Sequence, residues 1–185
     1  MTYSDNDLRM AIEKGDVAVV PYNPKHVSGA TLDLTLHDTF RVFRNSSHTH
    51  IDVKVPFDIT EEVKASADDQ SFVIHPGEFV LGSTAEVITL SPGLSGILEG
   101  RSSLGRIGLI VHATASLVKP GFSGYLTLEM SNISNLPIKL YTGMRIAQLA
   151  VMELKTPATV PYSSASKYQN QSAPTPSRIW EDFQK

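Results

Sequence analysis

The sequence predicts an all-β fold, a barrel or jelly roll, preceded by one short helix. Three observations predict it. From Thr31 onward the apolar period is two rather than 3.6, strand-like runs are short and numerous, and Pro-Gly pairs at 76–77, 92–93 and 120–121 punctuate them. No internal repeat is evident at solenoid or propeller periods.

The helix comes first. Ser4 stands as N-cap with Asp7 three residues on, Leu8, Ala11 and Ile12 share one face, and Gly15 is the stop. Leu32, Leu34 and Leu36 then alternate with Thr31, Asp33 and Thr35, the pattern of a strand with one buried face. Further strands are predicted at Phe40–Phe43, Phe72–His75, Phe79–Ile88, Gly96–Leu98, Leu109–His112, Tyr125–Met130, Ile138–Leu140 and Arg145–Leu154. Asn45–Gln70 is more polar and reads as a long surface excursion. From Thr156 onward Pro, Ser, Tyr and Gln dominate and neither period is sustained. The chain therefore divides into a β domain, 1–155, and a tail, 156–185, whose order depends on what it touches.

Composition narrows the function. The net charge is −3, and no run of Lys or Arg exceeds two residues, so the electrostatic footprint of a nucleic-acid-coating protein is missing. There are no cysteines, which removes disulfides, thiolate catalysis and cysteine-ligated zinc. Neither a signal peptide nor an apolar stretch of membrane-spanning length is present, so a cytoplasmic, membrane-free protein is expected.

The chemistry concentrates between Glu99 and Glu129. Arg101, Ser102, Ser103 and Arg106 offer several anion donors within six residues, and Glu129 supplies a base. If Leu126, Leu128 and Met130 face the core, alternation places Tyr125, Thr127 and Glu129 together on the opposite face. A phosphate-bearing substrate with a reacting water would need this set. Each residue also has a plainer reading. Arg101 and Arg106 would serve as surface ion-pair partners, Ser102 and Ser103 as turn formers, and Glu129 as an ordinary exposed strand residue. His112 reads equally as a partly buried strand histidine or as a ligand gate. His48 and His50 bracket Thr49 but lack a third ligand nearby, so no metal site is assigned.

The blocks GATLDLTL, HPGEFVLGSTAEVITL, GRSSLGRIGL, VHATA, PGFSGYLTLE, GMRIAQL, SKYQNQ and PTPSR, taken in order, resemble the dCTP deaminase branch of the dUTPase-like superfamily over almost the whole chain. The resemblance implies a distorted β-barrel with a C-terminal lid, assembled as a homotrimer with shared active sites, that converts dCTP to dUTP and ammonia. It also implies site residues. Arg101, Ser102, Ser103, Leu104, Gly105 and Arg106 match the phosphate-binding segment, with Ser102 and Arg106 also near the reacting base and its water. Glu129 matches the catalytic glutamate, and Thr127 and Leu128 match the strand that recognises the pyrimidine. Ala115 matches a backbone position near the water. Gln148, Tyr162, Lys167 and Gln171 match nucleotide contacts, the last three in the closing tail.

The residues fit this chemistry independently. Attack of water on C4 of cytosine requires protons to move to N3 and to the departing amine, and one carboxylate can shuttle them. The zinc route uses cysteines that this chain lacks. Magnesium is expected to arrive with the triphosphate, whose oxygens and water suit it better than a protein cage. The dTTP molecule is a candidate feedback inhibitor.

One position departs from the resemblance. Where the bifunctional deaminase–diphosphatases and true dUTPases carry aspartate in an Ile-Asp pair, this chain has Val118-Lys119. Lysine can donate to the sugar or phosphates but is not a carboxylate base. The tail also lacks glycine, unlike the Gly-rich motif that ends dUTPases. The expectation is therefore release of dUTP. The alternatives are a bifunctional enzyme yielding dUMP and diphosphate, and a silent nucleotide sensor.

Overall fold

A computed structural model describes residues 1–44, 49–163 and 165–184. Its first element is α1 (Asp5–Lys14), and the local chemistry that predicts the helix also closes it. Ser4 Oγ accepts from the Asp7 amide at 3.2 Å while the Asp7 carboxylate accepts from the Ser4 amide at 2.9 Å, and Gly15 ends the helix in the left-handed region at φ +80°. Leu8 and Ala11 are buried.

Thirteen strands are assigned among the described residues. The first six are β1 (Val17–Val20), β2 (Val27–Ser28), β3 (Thr31–Thr35), β4 (Thr39–Phe43), β5 (Thr60–Lys64) and β6 (Ser71–Ile74). The rest are β7 (Phe79–Leu90), β8 (Leu94–Gly100), β9 (Leu109–Ile110), β10 (Leu117–Val118), β11 (Ser123–Asn132), β12 (Ile138–Tyr141) and β13 (Arg145–Glu153), with a four-residue helix α2 (Ser102–Gly105) between β8 and β9. All pairings are antiparallel. One sheet runs β5-β4-β7-β11-β9, with β1 sharing the β4 edge of β7; a second runs β10-β8-β13-β3-β2; β12 and β6 form a two-stranded ribbon. The core between them is aliphatic, with Phe40 stacked on Phe72 at 4.1 Å.

Besides the short strands β1, β2 and β10, which the sequence does not predict, three features differ from expectation. Strand β5 lies inside the polar excursion, and it needs no apolar face because it is an edge strand held by polar bonds: Arg41 on β4 donates to Thr60 Oγ1 at 2.7 Å and to Asp58 at 2.6 Å. Strand β3 is buried on both faces, so Asp33 and Thr35 are covered as well as Leu32 and Leu34. The chain also holds a second, short helix. His48 lies outside the described residues, so the His48–His50 pair is not placed. Among the described residues no group of three or more metal-ligating side chains comes together, and no helix is long and apolar enough to cross a membrane.

The ribbon of β7 and β11 spans the first sheet. Its ladder shifts between the pairs Tyr125↔Val87 and Thr127↔Ser83, leaving three β7 residues opposite Leu126 alone. Thr84 repairs the bulge: its Oγ1 accepts from the Leu126 amide at 3.0 Å and donates to the Glu86 carbonyl at 2.8 Å. At the far end of β11, fully buried Asn132 donates to the carbonyls of Ile74 (2.9 Å) and Leu136 (2.8 Å), and accepts from the Ser134 amide (2.9 Å).

Asn132→Ala leaves the buried Ile74 carbonyl, and the less buried Leu136 carbonyl and Ser134 amide, without these bonds. The substitution should cost about 2–4 kcal/mol of stability, since each orphaned buried polar group costs roughly 1–3 kcal/mol and the losses overlap. Urea denaturation measures it, and an unchanged midpoint would show that the bonds contribute nothing.

Candidate active site

The parity expected for β11 is the one observed. Leu126, Leu128 and Met130 are buried in the core, while Tyr125, Thr127 and Glu129 turn outward and remain partly accessible. Thr127 and Glu129 form part of the wall of a cavity of about 950 Å³. Its other walls come from Phe79 and Leu81 on β7, from Phe57–Thr60, from His112 and the Ala115–Lys119 segment, and from the tail at Tyr162, Lys167, Gln171 and Asp182. Glu129 Oε2 is buried and has no protein hydrogen-bond partner, and neither ring nitrogen of His112 has one. A carboxylate oxygen and an imidazole held in one cavity without partners are poised to bond to something that enters it.

Asp58 is a further carboxylate in the cavity wall, beside Glu129 and the tail's Glu181 and Asp182. Burial works against its ionisation, but hydrogen bonds from Thr60 and the Arg41 guanidinium outweigh that and hold its carboxyl below the ordinary range. Lys119 is exposed at the same cavity, its ammonium 5.8 Å from the centre of the Tyr162 ring.

The tail is laid across β11 by its own bonds. The Asn170 amide donates to the Ser123 carbonyl at 2.8 Å, the Tyr125 amide donates to the Gln171 carbonyl at 3.1 Å, and Gln171 Nε2 donates to the Tyr125 carbonyl at 2.5 Å. Thr127 Oγ1 donates to Gln171 Oε1 at 3.3 Å, and Lys167 pairs with Asp182 at 2.7 Å. The expectation that the tail takes its order from whatever it touches is thus made specific: it touches the barrel of its own chain.

The predicted site residues fall into two groups. Ala115, Lys119, Thr127, Glu129, Tyr162, Lys167 and Gln171 line the cavity. Leu128 is fully buried, so only its backbone is available beside them. Arg101, Ser102, Ser103, Leu104, Gly105, Arg106 and Gln148 do not line it. Leu104 belongs to the core, while Ser102, Ser103, Gly105 and Arg106 are exposed around α2. Arg101 lies 3.6 Å from Asp33, and Gln148 donates to Asp33 at 3.0 Å and to Thr31 at 3.3 Å. Within this chain Arg101–Arg106 and Glu129 are not brought together.

Sequence reasoning missed Asp58, Asp33 and Arg145, which donates to Asp33 at 2.9 Å. Asp33 reads as a solvent-facing residue in an alternating strand, and only the burial of both faces of β3 reveals it.

Comparison with known proteins follows the same lines. The dCTP deaminase-like family model matches residues 2–154. A Parafrankia sp. (strain EAN1pec) protein named "dCTP deaminase, dUMP-forming" is 51% identical over 99% of this chain and 92% of its own length. A Corynebacterium diphtheriae protein of the same name is 47% identical over 99% of this chain and 100% of its own length. The crystal structure of 2'-deoxycytidine 5'-triphosphate deaminase from Agrobacterium tumefaciens shares the fold at a TM-score of 0.65 and 21% identity, covering 83% of this chain and 48% of that one. The names of the first two correct the expectation that Lys119 dictates a dUTP product. The physical error was to make one position the sole source of a carboxylate, when Glu129 and Asp58 both line the cavity.

The family match stops before the tail, so the docking of the tail rests on its own contacts. Gly124 has φ +142°, and a Cβ there would lie 3.1 Å from the Gln171 amide nitrogen. Gly124→Val should displace Asn170 and Gln171 from β11 while the barrel stays folded. Trp180, the single tryptophan, reports it: its emission should shift to the red, and hydrogen exchange at 168–171 should accelerate. Unchanged emission and exchange would mean that the tail docks without this approach.

Proposed function

This chain belongs to the dCTP deaminase-like family, and from that premise we propose that it deaminates dCTP and hydrolyses the resulting dUTP to dUMP and diphosphate. The observation that carries the reading is the identity, near one half over almost the full length, with proteins named for dUMP formation.

In the proposed reaction the Glu129 carboxylate takes a proton from the water that attacks C4 and delivers it to N3. It then moves the hydroxyl proton of the tetrahedral adduct to the departing amine, so that cytosine and water become uracil and ammonia. The unpartnered Oε2 of Glu129 supports this role. A second water then attacks the α-phosphorus and diphosphate leaves. With lysine at position 119, the base for that water is one of the cavity carboxylates, with Glu129 and Asp58 the candidates on the barrel side of the cavity.

The separation of Arg101–Arg106 from the cavity supports a homotrimer in which a neighbour supplies the anion donors and completes each site. Tyr162, Lys167 and Gln171 of the tail contact the nucleotide in this reading. Magnesium enters with the triphosphate and neutralises part of its charge, with no residue of the chain assigned to hold it. Feedback by dTTP would use the same triphosphate contacts.

Chromatography of the products from dCTP tests the proposal. Ammonia, dUMP and diphosphate should appear in equal amounts. Accumulation of dUTP would remove the second reaction, and nucleotide binding without ammonia would leave a sensor.

Glu129→Gln keeps the shape of the side chain and loses the proton shuttle. Binding of dCTP should persist in calorimetry while ammonia release falls on the order of 100-fold or more. Near-normal turnover would refute the assignment.

Light scattering should return three times the 20.2 kDa chain mass. A fully active monomer would contradict the shared site.

A further inference from the structure

Asp33 is buried to 5% exposure, yet it faces two guanidiniums. Its Oδ2 accepts from Arg145 Nη1 at 2.9 Å, its Oδ1 accepts from Gln148 Nε2 at 3.0 Å, and Arg101 Nε lies 3.6 Å from the same Oδ1. The ladder explains the convergence. Asp33 on β3 stands opposite Gln148 on β13, Gln148 stands opposite Glu99 on β8, and Arg101 follows the end of β8. Arg145 opens β13 beyond a register shift, which lets it reach back to Asp33.

A buried carboxylate needs one guanidinium to balance its charge. Here it has two, and both are more exposed than the acid between them: 28% for the Arg101 side chain and 49% for Arg145, against 6% for Asp33. Each guanidinium carries five N–H donors, so most remain free after these contacts. Without Asp33 the two cations would repel and adopt separate positions. With it they stand together, and the exposed residues Ser102 and Ser103 follow Arg101 directly in the chain. Glu99, on the same sheet, makes no ion pair with either arginine among the described residues.

We propose that Asp33 is a positioning residue that holds Arg101, Gln148 and Arg145 as a preformed receptor for the substrate's polyphosphate, and that Arg145 is itself a polyphosphate ligand. This deepens the function proposed above and rests on it. Preorganised donors bind an anion without first ordering their side chains, so Asp33 acts on binding rather than on the chemical step.

The test compares wild type with Asp33→Asn, Arg145→Gln and Arg145→Lys in dCTP kinetics, with calorimetry of inorganic tripolyphosphate and of deoxycytidine as probes. Asp33→Asn and Arg145→Gln should each raise KM for dCTP and weaken tripolyphosphate by on the order of 10-fold, the scale of one charged hydrogen bond. Turnover at saturation and deoxycytidine affinity should stay near wild type, and Arg145→Lys should recover part of the loss. A thermal melt establishes that each variant is folded. Should Asp33→Asn unfold, Arg145→Gln, at a half-exposed side chain, carries the test. Unchanged KM and tripolyphosphate affinity, or a fall in kcat alone, would overturn the proposal. A wild-type protein that binds tripolyphosphate but releases no ammonia from dCTP would instead overturn the deaminase reading.

Discussion

The bulge in β7 opposite Leu126 is the constraint on which the rest of the molecule depends. Three residues, Thr84 to Glu86, face one, and the even excess of two preserves strand parity. The side chains of β7 beyond the irregularity therefore keep their faces, in step with β11, which alternates without interruption and holds Tyr125, Thr127 and Glu129 on one side. The same bulge ties the two sheets together. Glu86, drawn inward, accepts from the Thr35 amide at 2.9 Å and from the Thr35 hydroxyl at 2.7 Å, joining β7 of the first sheet to β3 of the second. A local backbone irregularity thus ties the sheet that carries Glu129 to the sheet that carries Arg101, Arg145 and Gln148.

Those two groups lie on separate surfaces. The first sheet presents Glu129 to a cavity closed by the tail, while the second presents Arg101, Arg145 and Gln148 around Asp33, away from that cavity. Separation has a chemical advantage. A row of guanidiniums within the same cavity would bind the Glu129 carboxylate directly and occupy the oxygen that the proposed proton shuttle needs free. In the proposed assembly a neighbouring copy would deliver the cations, so that they would meet the carboxylate only with a nucleotide between them.

What the sequence made legible was local or periodic. Ser4, Asp7 and Gly15 marked α1 because caps act over a few residues, and Leu126, Leu128 and Met130 marked the face of β11 because alternation is a property of the strand itself. What stayed hidden depended on partners distant in sequence. Strand β5, Thr-Glu-Glu-Val-Lys, has no apolar face to betray it and exists because Arg41 and Asp58 bond around it. The tail has no period, and its place is written instead in the glycines it lies against: a Cβ at Gly121 would fall 2.7 Å from the Tyr162 carbonyl oxygen. Asp33 alternated correctly with leucines and was still misread, since alternation says which face a residue is on but not whether that face is covered.

Lys119 shows the same limit for function. The departure from aspartate is a property of one position, whereas hydrolysis at phosphorus needs only that some base reach the water, and an enclosed cavity pools the side chains of every element around it. Lys119 projects beside Tyr162, within the reach of a cation–π contact, and so faces the tail across the cavity that Glu129 and Asp58 also line. In the proposed reaction a cation there would favour the anionic phosphates, leaving the proton chemistry to the carboxylates. On the proposed reading the residue at 119 bears on how the nucleotide is held, and the product depends on which carboxylate of the cavity reaches the second water.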